Sequence, residues 1–268
     1  MNLHLLMWTL GCAAGFVSGV VVLRARGALR VSSVVALGWA WGGLLLGAKL
    51  HYRLETMSPM DAVMILSPAD VLTPGMRLPL GLLLGGVLAG LWTLAVRGPV
   101  LATGDALAVA ASVAIPIGRI GCLSQGCCMG GTCSAWISPI CRRFAAGTEA
   151  YTAQLHRHLI APGDALSLPA HQLPIYFAIA SLLTLAVLVV LLRRNAPSGT
   201  LLAVFCIARP VTKLMLEPLR ATARPELLML GIPSFVLFVT VIVLVACAAR
   251  RRQLAPRWQS ERERSVGR

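Results

Sequence analysis

The sequence predicts an all-α, polytopic membrane protein with about seven transmembrane helices. Three observations lead there. Of the 268 residues, 57% are hydrophobic and only 13% are charged, about half the charged share of an ordinary soluble domain. The mean hydropathy is +0.78. Apolar stretches near the length that crosses a bilayer recur along most of the chain, separated by short polar or arginine-bearing segments.

The first span runs from Leu5 to Leu23. It lacks a basic leader and is followed by Arg24 and Arg26, so it reads as a retained helix and not a cleaved signal. The second is Val31–Leu50 and the third Pro79–Val96. Between them Thr56–Met76 is mixed and proline-punctuated, the pattern of an interfacial helix or loop. A short turn around Gly98-Pro99 and Thr103-Gly104 leads into the fourth span, Asp105–Gly121. The fifth is Leu173–Leu192, the sixth Gly199–Leu216 and the seventh Leu227–Ala249. Pro116 and Pro210 fall inside the fourth and sixth spans, where a kink or break is expected.

Arginines set the orientation. Arg24, Arg26, Arg30, Arg97, Arg193, Arg194 and Arg250 to Arg252 crowd the short loops of one side. Arg53, Arg77, Arg142, Arg143, Arg157 and Arg224 are spread over longer loops on the other. The short-loop excess makes the first side cytoplasmic, with the N-terminus outside and the C-terminus inside. Residues 1–250 then form a single transmembrane domain with an exterior loop at 122–170, and 251–268 a polar, disordered cytoplasmic tail. Topology and anionic lipid account for the net charge of +14. No basic-aromatic surface pattern accompanies it, so nucleic acid is not an expected partner. An internal repeat is absent too, which argues against an inverted-repeat transporter.

Chemistry concentrates in the run Gly118-Arg119-Ile120-Gly121-Cys122-Leu123-Ser124-Gln125-Gly126-Cys127-Cys128-Met129-Gly130. An ionisable group at the end of an apolar span costs a few kcal/mol unless something pairs with it, so Arg119 marks a site. The glycines let backbone approach an anionic head group. Taken alone, Arg119 also fits a snorkelling cation, and the glycines fit tight turns. Five of the eight cysteines, Cys122, Cys127, Cys128, Cys133 and Cys141, lie in or beside the exterior loop. Disulfides, close packing and zinc are the available readings there. The spacing Cys-x4-Cys-Cys-x4-Cys-x7-Cys is unlike the paired ligands of structural zinc sites, so neither metal nor cofactor is expected. Cys12, Cys206 and Cys247, inside spans, read as small apolar packing.

These residues resemble the prolipoprotein diacylglyceryl transferase family, in its branch with a Gly-Arg-Ile-Gly-Cys … Gly-Cys-Cys-x-Gly signature. The likeness runs in order from about Gly42 to Arg220. It takes in Gly47-Ala48-Lys49-Leu50, the glycine-rich Leu80–Gly90, Thr103-Gly104-Asp105, the signature itself and Ser134-Ala135-Trp136. It continues through His171-Gln172-Leu173-Pro174-Ile175-Tyr176 and ends at Lys213-Leu214-Met215-Leu216-Glu217-Pro218-Leu219-Arg220.

The resemblance implies a seven-span, N-outside fold in the bacterial cytoplasmic membrane. It also implies transfer of the diacylglyceryl unit of phosphatidylglycerol, or of another anionic lipid, to the lipobox cysteine of a pre-lipoprotein signal peptide. That chemistry needs a base for the thiol and a cation for the departing phosphate. The implied catalytic residues are Arg119, Lys213 and His171. Gly121, Gln125, Gly126, Gly130, Tyr176, Glu217 and Arg220 would bind substrate. Read without the family, Glu217 and Arg220 also fit an ion pair on one helix face, Tyr176 an interfacial anchor and His171 a structural histidine.

The chain departs from the pattern at several positions. Leu80 stands where the main branch has a histidine, and Lys213 where it has an arginine. Cys122, Gln125 and Cys127 replace polar signature residues, and Phe177 replaces a glutamate. These losses keep a second reading open, a lipid-binding relative without the reaction. The intramembrane charges Arg119, Arg209 and Lys213 keep open a third, a small-molecule transporter.

Overall fold

The computed structural model describes residues 3–56, 78–134 and 141–220. Among them are seven α-helices and no strands: α1 (Leu3–Ala25), α2 (Val31–Thr56), α3 (Leu78–Ala95), α4 (Val100–Gln125), α5 (Glu149–His156), α6 (Leu173–Arg193) and α7 (Thr200–Leu216). Helices α1, α2, α4 and α6 are long and apolar enough to cross a membrane, and α3 is a shorter apolar helix. The described residues are thus all-helical, as expected of a polytopic membrane protein. The expected seventh span, the segment after Thr56, Trp136 and the tail lie outside the described residues.

The expected turn at Thr103-Gly104 is instead helix. Pro99 precedes α4 directly, so the turn closes over Val96–Pro99, with Arg97 at φ 51° and the Gly98 N–H donating to the Thr93 carbonyl (2.7 Å). Neither Pro116 nor Pro210 interrupts its helix.

Two compact units are present. In the unit containing α2 and α3, small residues let two helices touch backbone to backbone. A Cβ built on Gly43 would sit 2.7 Å from the Gly85 Cα, and one on Gly47 would sit 2.7 Å from the Leu80 carbonyl oxygen. Close approach through small residues is how helices associate where lipid removes the hydrophobic drive. The Trp92 indole N–H donates to the Ser32 carbonyl at 3.0 Å and secures the other end of the pair. Lys49 and Arg53 are buried near the end of α2, with the Lys49 ammonium 5.6 Å from the Tyr52 ring centre.

The other unit holds α1, α4 from Asp105 onward, α6, α7 and the loop joining α4 to α6. Helices α1 and α4 pack antiparallel. Gly11 lies against Ala114, Trp8 over Gly118 and His4 against Gly121, so one index rises as the other falls. Helices α6 and α7 are also antiparallel, since Ser181 meets Arg209 while His171 and Leu219 both close on Gly130. A fully buried carboxylate fixes the start of α7. Asp105 accepts the Gly199 N–H at Oδ2 and the Leu202 N–H at Oδ1, each at 3.0 Å. It therefore satisfies two of the unpaired donors that open a helix.

The connecting loop is a folded cap. Met129, Phe144, Ala150 and Ala170 form a small core, with Leu123 packed on it. The Gln154 amide clamps the Leu168 backbone, accepting its N–H (2.7 Å) and donating to its carbonyl (3.2 Å). Thr148 caps α5, the Tyr151 hydroxyl donates to the Asp164 carbonyl (2.8 Å), and a Cys133–Cys141 disulfide closes one edge. Arg142, Arg143, His156, Arg157 and His158 are exposed on this cap.

Candidate active site

Within the second unit, the end of α4, the start of α6 and the end of α7 meet beneath the cap. Main-chain groups of the signature glycines tie them together. The Gly130 N–H donates to the His171 carbonyl (2.8 Å), the Gly131 N–H to the Leu219 carbonyl (2.8 Å), and the His171 N–H to the Gly131 carbonyl (3.1 Å). Gly130 also bridges Arg220 in antiparallel register. The space is that of a glycine, because a Cβ here would lie 2.5 Å from both the His171 Cβ and the Leu219 oxygen. Gly130→Ala is expected to cost about 2–3 kcal/mol by overpacking. The midpoint of thermal unfolding in detergent should drop by several degrees, while Gly42→Ala, where nothing lies within 4 Å, leaves it unchanged or higher.

The other two signature glycines serve the same end. Gly126 has φ +64°, a left-handed turn, and a Cβ on it would meet Thr148 Cγ2 at 2.9 Å. Gly121 faces His4, and a Cβ on it would lie 3.1 Å from the Cα of that residue. Gln125 is the last residue of α4.

Cations gather here. Arg119 stacks its guanidinium over the Phe177 ring at 4.8 Å, and its Nε is buried with no hydrogen-bond partner. Its charge acts directly on Arg209 of α7, whose Nη1 donates to the Ser181 hydroxyl (3.1 Å). Lys213 stands one turn beyond Arg209 on the same face, then Glu217 another turn on, then Arg220. Glu217 is buried and pairs with Arg220 at 3.4 Å. Sequence reasoning passed over Arg209 as a site residue. Its signal was a charge midway along an apolar helix, just before Pro210.

His171 Nδ1 lies 3.5 Å from the Tyr176 hydroxyl, ring edge toward ring face. At the end of α4 the thiols of Cys122, Cys127 and Cys128 cluster. Hydrogen bonds from Cys122 and Cys127 hold the Cys128 thiol well below the ordinary thiol range. The charges of Arg119 and Arg220 add to this effect, against the opposing pull of burial. Cys127 is pushed up by its bonds to Cys122 and Cys128 and by burial.

Residues 1–249 match the sequence model of the family described as prolipoprotein diacylglyceryl transferase. The chain belongs to that family. One curated relative, the phosphatidylglycerol–prolipoprotein diacylglyceryl transferase of Rhodopirellula baltica (strain DSM 10527 / NCIMB 13988 / SH1), is 31% identical over 160 residues. The aligned part takes in 57% of this chain and 31% of the relative, so the chain spans about a third of that protein's length. Phe177 supplies Arg119 with an aromatic face. Leu80 presents its carbonyl to Gly47 in the α2–α3 contact.

Proposed function

We propose that this chain is a phosphatidylglycerol–prolipoprotein diacylglyceryl transferase. One observation carries the reading beyond family membership. The Arg119 guanidinium stacks on Phe177 with a buried Nε that has no hydrogen-bond partner among the described residues, its charge acts on Arg209, and the charge of Arg220 also acts on the thiol cluster. Such a group of partly buried cations, with Glu217 paired to Arg220, suits a bound phosphate diester.

In the proposed reaction the thiolate of a lipobox cysteine attacks the glyceryl carbon esterified to phosphate. A carbon–sulfur bond forms, the carbon–oxygen bond to phosphate breaks, and glycerol-1-phosphate leaves with the electron pair. Arg119 would hold the phosphate through its planar fork, with Lys213 and Arg220 adding charge as the dianion develops. His171, oriented by Tyr176, would take the thiol proton. Glu217 would aim Arg220, while Gly121, Gln125, Gly126 and Gly130 let the cap close on the helix ends.

The proposed setting is the bacterial cytoplasmic membrane, in several passes. The N-terminus lies outside, residues 1–250 form one transmembrane domain, and the cap at 122–170 faces the exterior, where phosphatidylglycerol and the signal peptide of a pre-lipoprotein meet. The test uses the full chain in phosphatidylglycerol vesicles with a lipobox peptide. Release of glycerol-1-phosphate with matching gain of peptide mass is the expected result. A folded preparation that yields neither product would refute the reading.

A further inference from the structure

The fold adds a ligand that cysteine spacing could not reveal. A ring nitrogen of His4, near the start of α1, and the sulfurs of Cys122 and Cys127 all lie within 4.8 Å of one another. These residues are separated by more than a hundred positions and meet only because α1 and α4 run antiparallel. We infer that His4, Cys122, Cys127 and Cys128 form a structural site for a zinc ion that fastens the cap to the helix ends.

Four features of the site support this. First, one ring nitrogen and two sulfurs already lie within 4.8 Å of one another, near enough for side-chain rotations to bring them to the roughly 3.5–4 Å edges of a tetrahedral zinc–thiolate site, and Cys128 follows next in the chain. Second, His4 Nδ1 is buried with no hydrogen-bond partner, an expense that a ligand would remove. Third, His4 comes this near only because residue 121 is glycine, whose Cβ would stand 3.2 Å from that nitrogen. Fourth, the backbone doubles back at two left-handed residues, Gly126 (φ 64°) and Cys128 (φ 59°). Consecutive cysteines in extended chain point to opposite sides. Here the Cys127 and Cys128 thiols both reach Cys122. A non-glycine residue in that conformation is strained, of order 1 kcal/mol or more, and such strain persists where surrounding structure requires it.

The donor set fits the ion. Three thiolates and one imidazole are a common closed coordination for zinc, with no position left for water. Binding releases the thiol protons to solvent and leaves a net charge of about −1. Arg119 and Arg220, whose charges already act on Cys128, would balance it.

The test is metal content. The full chain, purified in detergent with a phosphine reductant and without a histidine tag, should retain about one zinc per chain after dialysis. Cys122→Ser, Cys127→Ser and His4→Ala should each cut this at least tenfold, whereas Cys12→Ser and Cys206→Ser should not change it. Because a ligand variant might misfold, the unaltered protein is also alkylated with and without a strong chelator. Chelation should expose Cys122, Cys127 and Cys128 to reagent and leave Cys12 and Cys206 as they were. Absence of zinc, retention by the ligand variants, or a native Cys122–Cys127 disulfide would each overturn the assignment.

Discussion

Arg119→Ala should reduce glycerol-1-phosphate release by about 100- to 1,000-fold, the usual loss when one preorganised donor to a developing oxyanion is removed. The guanidinium is held over Phe177 and has an unsatisfied buried Nε, so its orientation is set before any ligand arrives. Arg119→Lys keeps the charge but loses the paired donors, and should recover about a tenth of the activity at most. Stability should hold or rise in the alanine variant, because the removed group is a desolvated cation whose charge opposes that of Arg209. Initial rates with vesicle-embedded phosphatidylglycerol, beside an unfolding midpoint for each variant, measure both effects. Activity within about threefold of the unaltered chain would remove Arg119 from the reaction.

The second large effect lies at the opposite end of α4. Asp105→Ala should destabilise the protein by about 3–5 kcal/mol, because two backbone donors at the start of α7 lose a fully buried charged acceptor. Asp105→Asn keeps one carbonyl oxygen and should lose about half as much. Turnover should fall alongside stability, since α7 carries Arg209 and Lys213 and leads directly into Glu217. Denaturant or thermal unfolding in detergent reads the first effect directly. An Asp105→Ala variant as stable as the parent would mean that α7 is anchored elsewhere.

Much of the fold was legible because apolar length is a one-dimensional signal. The predicted fifth span, Leu173–Leu192, differs from α6 by a single residue at its end, and Val31 opens α2 as expected. The fourth span began too late because Thr103 and Gly104 look like turn residues. Inside α4 the Thr103 hydroxyl bonds back to the Pro99 carbonyl at 3.0 Å, a use that composition does not announce. The cap was less legible. Its sequence is polar, yet Phe144, Tyr151 and Gln154 are buried. Tyr151 and Gln154 share one face of α5, a helix of eight residues and so too short for its period to stand out, and Phe144 lies outside it.

Candidate site residues divide in the same way. Arg119 stood out as a charge at the end of an apolar run, and Lys213, Glu217 and Arg220 stood out by their resemblance to a family element. The partnership of Arg119 with Phe177 and Arg209 depends on three helices meeting, and the approach of His4 to Cys122 depends on the direction of α1. Contacts of that kind are set by tertiary packing, which a pattern within one segment does not encode.

The ties around Gly130 have one more consequence. All three are made by amide hydrogens and carbonyls, which every residue except proline supplies. Side chains on either flank can therefore be exchanged without unfastening the junction, so long as position 130 stays bare. A fold held this way can drift far in sequence and still deliver the same helix ends to the same place.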